Sequence, residues 1–287
     1  MKVLVTGATG QLGSAIGQQF AAGHEVVALS QDDLDITRHE RVRERVAAVR
    51  PDLVVNCAAY NDVDRCEDDA ATALEVNAFG VMALARAASA VGAVLVHYST
   101  DFVFAGDADR PYTEDVAPNP RSFYAMSKLL GDWFARESPR WYVLRVESLF
   151  GGAAVGSWHK SSVDRIADAI VEGREAVVFT DRVVSPSFVL DVARATRELV
   201  ERALPCGLYH CVNTGMCTWY ELAQEIGRQS GVEPRLQPKR AADVTLRAAR
   251  PMYSPLSNGK LTAAGIPMPT WQDAIGRYLA NRGRPQV

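Results

Sequence analysis

The sequence predicts an α/β fold of the doubly wound kind, a parallel sheet with helices on both faces, followed by a smaller C-terminal α/β lobe. Three observations predict it. Lys2 to Val5 is a short β-branched run that ends in a glycine turn. Gln11 to Ala22 then carries Leu12, Ala15, Ile16 and Phe20 near helical period. Finally, the alternation recurs: Glu25 to Leu29, Asp52 to Val55 and Ala93 to His97 read as strands, and Glu40 to Val49 and Ala70 to Val91 read as helices. Strands separated by helices of that length pair in parallel, because the return crossover needs a helix.

A helix over Phe123 to Glu137 and a strand over Trp141 to Val146 complete this first lobe, residues 1–150. The run Gly151-Gly152-Ala153-Ala154-Val155-Gly156 lacks the side chains that hold an element together and marks the passage to a second lobe, residues 151–287. Some of its segments are free to return to the first. Helices are expected at Val163 to Glu172, Val189 to Arg202 and Trp219 to Gln229, with short strands near Val177 and Tyr209. Pro251, Pro255, Pro267 and Pro269 break the chain before a last helix, Trp271 to Leu279.

Composition narrows the function. A 48% hydrophobic chain of 287 residues buries a large core, and a net charge of -3 without basic clusters gives no footprint for nucleic acid or an anionic membrane. No stretch is read as reaching the ~20 apolar residues of a membrane helix, and the first strand leaves no room for a signal peptide, so a cytoplasmic protein is expected. Cys57, Cys66, Cys206, Cys211 and Cys217 show neither zinc-site spacing nor an even count, and are read as reduced.

Gly7-Ala8-Thr9-Gly10-Gln11-Leu12-Gly13 lies directly after the first strand and opens the first helix. Glycines there let the backbone approach a pyrophosphate that the helix N-terminus attracts, the arrangement of a Rossmann-type dinucleotide site. The residue at the end of the second strand selects the adenosine ribose, and here that place falls near Ser30. A small neutral residue favours NADPH, while the lack of an Arg at Gln31, Asp32 or Asp33 leaves NADH open. Asp35 and Ile36 are read as bordering the adenine.

Phe123-Tyr124-Ala125-Met126-Ser127-Lys128 carries the chemistry. On a helix, Met126, Leu129, Leu130, Trp133 and Phe134 form one apolar stripe, and Tyr124 and Lys128, four apart, share the opposite side, facing away from the core. A phenol exchanges a proton near neutrality only if its phenolate is stabilised, which an ammonium one turn away does. Upstream, Ser99-Thr100-Asp101 puts hydroxyls at the C-terminal end of a sheet strand, where open α/β sheets bind ligands. Thr100, Tyr124 and Lys128 then compose a carbonyl-reducing triad, with Tyr124 as the proton donor.

With these residues the chain resembles the extended short-chain dehydrogenase/reductases, specifically the dTDP-4-dehydrorhamnose reductase family. The resemblance runs over nearly the whole length: Asn56-Cys57-Ala58-Ala59-Tyr60, Val76-Asn77-Ala78, His97 to Phe104, Pro111-Tyr112-Thr113-Glu114, Asn119-Pro120, Ser185-Pro186-Ser187, Gly207 to His210, Thr218 to Glu221, Arg250-Pro251 and Leu256 to Leu261. It implies reduction of the C4 ketone of a dTDP-6-deoxyhexose by Thr100, Tyr124 and Lys128. It also implies that Gly10, Gln11, Leu12, Ala59, Tyr60 and Asn61 line the cofactor, beside Gly7, Gly13, Ala58, Tyr124 and Lys128, which are read as cofactor-binding too, and that Thr100 and Asp101 touch substrate. After Arg145 the rhamnose-forming members continue T-S-W-V-Y, whereas this chain reads Val146-Glu147-Ser148-Leu149-Phe150. Ser148 therefore stands where a substrate-contacting Trp is expected, and the identity of the sugar is left open. Arg250 is the candidate for the substrate pyrophosphate, because its planar fork matches phosphate oxygens.

Two alternatives remain open at this point. A nucleotide-sugar epimerase would use the same triad, and a non-catalytic dinucleotide-binding regulatory subunit, like the relative that partners methionine adenosyltransferase, would not need it. A 4,6-dehydratase is disfavoured, since Phe102 follows Asp101 where such enzymes place a Glu. His97, His159 and His210 are read as structural, and Asp62, Asp64, Glu67, Asp68 and Asp69 as a solvated loop and helix start. No metal is expected, and a homodimer is the assembly considered.

Overall fold

The computed structural model describes residues 1–152 and 160–282. Ala153 to Gly156 and His159 lie outside the described residues.

The first half of the chain runs β1 (Lys2–Thr6), α1 (Gln11–Ala21), β2 (Glu25–Leu29), α2 (His39–Val49), β3 (Leu53–Asn56), α3 (Arg65–Asp68), α4 (Ala70–Leu74), α5 (Gly80–Val91), β4 (Val94–Thr100), α6 (Phe123–Ala135) and β5 (Trp141–Val146). The rest is β6 (Leu149–Phe150), α7 (Ser162–Val171), β7 (Ala176–Phe179), β8 (Val183–Val184), β9 (Ser187–Phe188), α8 (Val189–Glu201), β10 (Gly207–His210), β11 (Cys217–Thr218), α9 (Trp219–Ser230), β12 (Leu236–Lys239), α10 (Gly259–Ala263) and α11 (Trp271–Asn281).

The expected doubly wound sheet is present: six parallel strands in the order β2-β1-β3-β4-β5-β10. Val3, Leu4 and Val5 are buried on both faces of β1, which is why this strand reads as a continuous apolar run rather than an alternating one. The chain turns one way from β1 to β2 and the other way to β3, so a crevice opens above the C-terminal ends of β1 and β3. The register sets Thr6 beside Asn56 and Thr100 beside Val146 at that edge.

β10 closes the sheet beside β5, and Val189, Val192 and Leu199 of α8 join Ile16 and Phe20 of α1 in one core. A second core forms from Phe150, Ile166, Ile170, Phe188, Leu222, Trp271 and Ile275. Its helices start on reciprocal caps, Ser161 with Asp164 on α7 and Thr218 with Glu221 on α9.

Two expectations are corrected. The helix expected from Ala70 to Val91 is interrupted by a π turn at Glu75–Phe79, between α4 and α5. That same stretch is long and apolar enough, by length and composition, to cross a membrane, although half of it is buried inside the fold. Alanine and valine occupy it because α5 packs tightly on its neighbours: Val81, Leu84, Ala85 and Ala88 are fully buried.

Candidate active site

The glycine turn is sterically closed to side chains. A Cβ on Gly7, whose φ is +64°, would stand 2.6 Å from the Ala58 nitrogen, and one on Gly13 would stand 2.2 Å from the Gly7 carbonyl oxygen. Helix α1 starts at Gly10 with no side-chain cap and no acid in its first turn, so its first N–H groups remain free for a ligand. Thr9 and Gly10 are exposed. A close-packed glycine turn under an uncapped helix start fits a dinucleotide pyrophosphate, bound by Gly7 to Gly13 through the backbone. Leu12 points into the core, so only its main chain is available to a cofactor.

At the end of β2 the structure changes the reading of Ser30. Its N–H and hydroxyl both donate to Asp33 Oδ2, at 2.9 and 2.7 Å, and these bonds hold the Asp33 carboxyl below its usual range. The acid missing at position 30 is thus supplied three residues on. Ile36 is buried against Gly80, and Asp35 accepts from the Thr37 N–H and hydroxyl.

The loop Ala58 to Asn61 is positioned by Asn77, at the centre of the π turn. Its Oδ1 accepts from the Tyr60 N–H at 2.9 Å, and its Nδ2 donates to the Tyr60 carbonyl at 2.9 Å and to Ser127 Oγ at 3.0 Å. The Ser127 hydroxyl donates on to the Tyr124 carbonyl at 2.8 Å. One amide therefore registers the cofactor-side loop against the helix that carries Tyr124.

On α6 the expected polarity is inverted. Lys128 is 3% exposed, while Met126 and Trp133 of the supposed core stripe are 42% and 56% exposed. Ala125, Ser127, Gly131 and Ala135 are buried beside Lys128 and Asp132, and these two polar groups turn inward because strand ends offer them partners. Lys128 Nζ donates to the Tyr98 carbonyl at 2.6 Å, and Asp132 pairs with buried Arg145 at 3.2 Å. Burial lowers the Lys128 ammonium to about 8.

Tyr124 and Thr100 come together. Burial and then the Asp101 charge push the phenol pKa up, and the nearby Thr100 hydroxyl offsets part of that rise. Phe102 meets the Tyr124 ring edge-on at 5.7 Å and carries Arg250 over its own face at 5.9 Å. Arg250 pairs with Asp64 at 2.9 Å, and Arg247 pairs with Asp68. The acidic run is exposed to half-buried and opens helices as read, Asp69 accepting the Thr72 N–H at the start of α4, but it also straps the second half of the chain to the first, and Glu67 accepts the Phe123 N–H that opens α6.

Three further residues line this wall without a signal recognised in the sequence. Glu147 is buried in the gap between β5 and β6, Ser254 donates to it, and Arg182 acts on both Glu147 and Asp101. An acid between Val146 and Leu149, at the exit of an apolar strand, was the available clue. Ser148, half-buried, adopts a left-handed φ of +44°. Among the described residues no group of His, Cys, Asp and Glu stands close enough to hold a metal ion.

Residues 1–283 match the family model described as the RmlD substrate binding domain. The chain belongs to that family. As an RmlD-family protein it is an oxidoreductase, the reading carried by relatives named dTDP-4-dehydrorhamnose reductase. It is 37% identical to the dTDP-4-dehydrorhamnose reductase of Streptomyces griseus, over 95% of this chain and 91% of that one. It is 36% identical to the spore coat polysaccharide biosynthesis protein SpsK of Bacillus subtilis, over 98% of each. The structure of the Bacillus anthracis dTDP-4-dehydrorhamnose reductase in complex with NADP superposes with a TM-score of 0.91 at 31% identity, covering 98% of this chain and 99% of that one.

Proposed function

We propose that this RmlD-family chain is an NADPH-dependent reductase of a dTDP-linked 4-keto-6-deoxy sugar, with Thr100, Tyr124 and Lys128 as its catalytic residues. The observation that carries the reading is the meeting of the Thr100 and Tyr124 hydroxyls above the C-terminal edge of the sheet, with buried Lys128 one turn below. When bound, the nicotinamide cofactor supplies the hydride. Tyr124 gives its phenolic proton to the carbonyl oxygen, Thr100 orients that oxygen, and Lys128 places positive charge near the phenolate that Tyr124 becomes. Gly7, Gly10, Gln11, Leu12, Gly13, Ser30, Asp35, Ile36, Ala58, Ala59, Tyr60 and Asn61 form the cofactor side; Asp101, Ser148 and Arg250 form the substrate side.

Reductase relatives of similar length favour this reading over an epimerase or a regulatory subunit. The test is stoichiometry with purified protein and a dTDP-4-keto-6-deoxyhexose: one NADPH oxidised per sugar reduced. Epimerised product without net oxidation would overturn it. The same proposal includes a cytoplasmic location, in keeping with five free thiols. It also includes a homodimer, in keeping with Phe123, Met126 and Trp133 exposed along α6. Trp133→Glu should then yield monomers in sedimentation, and a wild-type chain that sediments as a monomer would refute the dimer.

A further inference from the structure

The wall facing Tyr124 holds two buried carboxyl groups around one hydroxyl. Glu147, 1% exposed, accepts from the Ser185 N–H through Oε2 at 2.7 Å and from the Ser254 hydroxyl through Oε1 at 2.5 Å. Asp101, 3% exposed, accepts from the Thr100 hydroxyl at 2.9 Å and faces the same Ser254 hydroxyl. Neither carboxyl forms an ion pair among the described residues.

Two unpaired carboxylates at one desolvated site do not both ionise, because each charge is costly alone and repels the other. The charged and titratable groups around them are Tyr124 on α6, Arg182 ahead of β8, Tyr253 beside Ser254, and Cys217 on β11. Arg182 in turn feels Arg250 and Asp181. Arg182 is the one cation of this set acting on both carboxyls directly, so a single negative charge on the pair is matched and a second is not.

We propose that Asp101 and Glu147 hold one proton between them across the Ser254 hydroxyl, and that Glu147 is thereby a positioning residue for carbonyl reduction. The proposal rests on the reductase reading above. An ionised Asp101 draws the Thr100 proton onto itself and opposes negative charge on Tyr124. When the shared proton lies on Asp101, which a charge on Glu147 favours, Asp101 no longer draws the Thr100 hydroxyl, and the Thr100 O–H is left for the substrate carbonyl. Burial supports the sharing: it pushes both carboxyls above the ordinary range, and the Asp101 charge raises Glu147 further.

Infrared spectroscopy of the intact protein tests the proton directly. At about pH 7.5, well above ordinary carboxyl pKa values, the wild-type chain should show the C=O stretch of one protonated carboxyl, absent in Glu147→Gln. Its absence from the wild type, or its persistence in Glu147→Gln, would overturn the sharing whatever reaction the enzyme performs. Kinetics test the positioning. Glu147→Gln should lower kcat about tenfold at that pH, leave NADPH affinity unchanged, and regain kcat as the pH is lowered through about 6, where Asp101 takes its own proton. A uniform loss without that recovery would overturn the positioning role. If Glu147→Gln fails to fold, Ser254→Ala, which removes the bridging donor from both carboxyls, should keep the protonated-carboxyl band but shift its frequency; an unshifted band there would overturn the sharing across Ser254.

Discussion

Asn77→Ala separates the positioning of the site from its chemistry. The wild-type amide is fully buried and makes three hydrogen bonds, to the Tyr60 N–H, the Tyr60 carbonyl and Ser127 Oγ. Ser127 keeps its own bond to the Tyr124 carbonyl, so losing Asn77 as a donor costs it little. The Tyr60 carbonyl retains only a long contact to Cys66 Sγ at 3.8 Å. The Tyr60 N–H is left without its acceptor. Two backbone groups stranded at a half-buried position cost about 1–3 kcal/mol each at full burial, which gives about 2–4 kcal/mol here. That is a large share of the ~5–15 kcal/mol typical of a folded domain.

Urea unfolding followed by tryptophan fluorescence measures this loss, since α6 carries Trp133 and β5 opens with Trp141. Because the same amide fixes the Ala58 to Asn61 loop, NADPH affinity should fall together with stability. Asn77→Asp restores an acceptor for Tyr60 N–H but no donor, so it should recover part of the loss. A destabilisation under about 1 kcal/mol with unchanged NADPH affinity would show that the π turn holds the loop without its side chain.

Tyr124→Phe keeps the ring on Phe102 and removes only the hydroxyl, so turnover should fall about 10²-fold to 10⁴-fold with cofactor affinity intact; near-normal turnover would refute its role as proton donor. Asp33→Ala removes a carboxylate anchored on Ser30 and should raise NADPH affinity relative to NADH by about threefold, read by fluorescence titration. Asp132→Asn leaves buried Arg145 unpaired and should cost about 3–5 kcal/mol in denaturant unfolding. His210, with Nδ1 on the Tyr112 carbonyl at 3.0 Å, is lowered by burial to about 3 from 6.5. Its contribution to stability is complete above about 6.5 and is lost as pH falls toward 3, at up to about 1.4 kcal/mol per pH unit between them. Thermal melts of His210→Gln should lose that part of the slope.

What the sequence displayed was local. The glycine turn, the strand and helix alternation and the four-residue spacing of Tyr124 and Lys128 each depend on neighbours a few positions away. Glu147 stayed illegible because its partners, Ser185 and Ser254, lie 38 and 107 residues along the chain. The inversion of α6 has the same origin. An amphipathic pattern shows that a helix has two faces, not which one meets the sheet. Lys128 turns inward because the Tyr98 carbonyl, 30 residues upstream, accepts it. Likewise the π turn depends on the close approach of α6, where a Cβ on Gly131 would stand 2.2 Å from the Asn77 carbonyl oxygen.

The two sides of the cleft are joined by polar contacts of unequal cost. Gln11, on the glycine turn, donates to Asp164 of α7 at 3.0 Å, and Arg250 reaches Asp64 at 2.9 Å; these joints retain access to water. Partly exposed pairs of this kind contribute about 0–1 kcal/mol each, so neither side needs to be rigidly held at its rim. Glu147 is different. It is sealed, and separating it from Ser185 and Ser254 would strand a buried carboxyl and a backbone N–H together. The joint that costs most to separate therefore lies beside Thr100 and Asp101, on the side where carbonyl reduction is proposed.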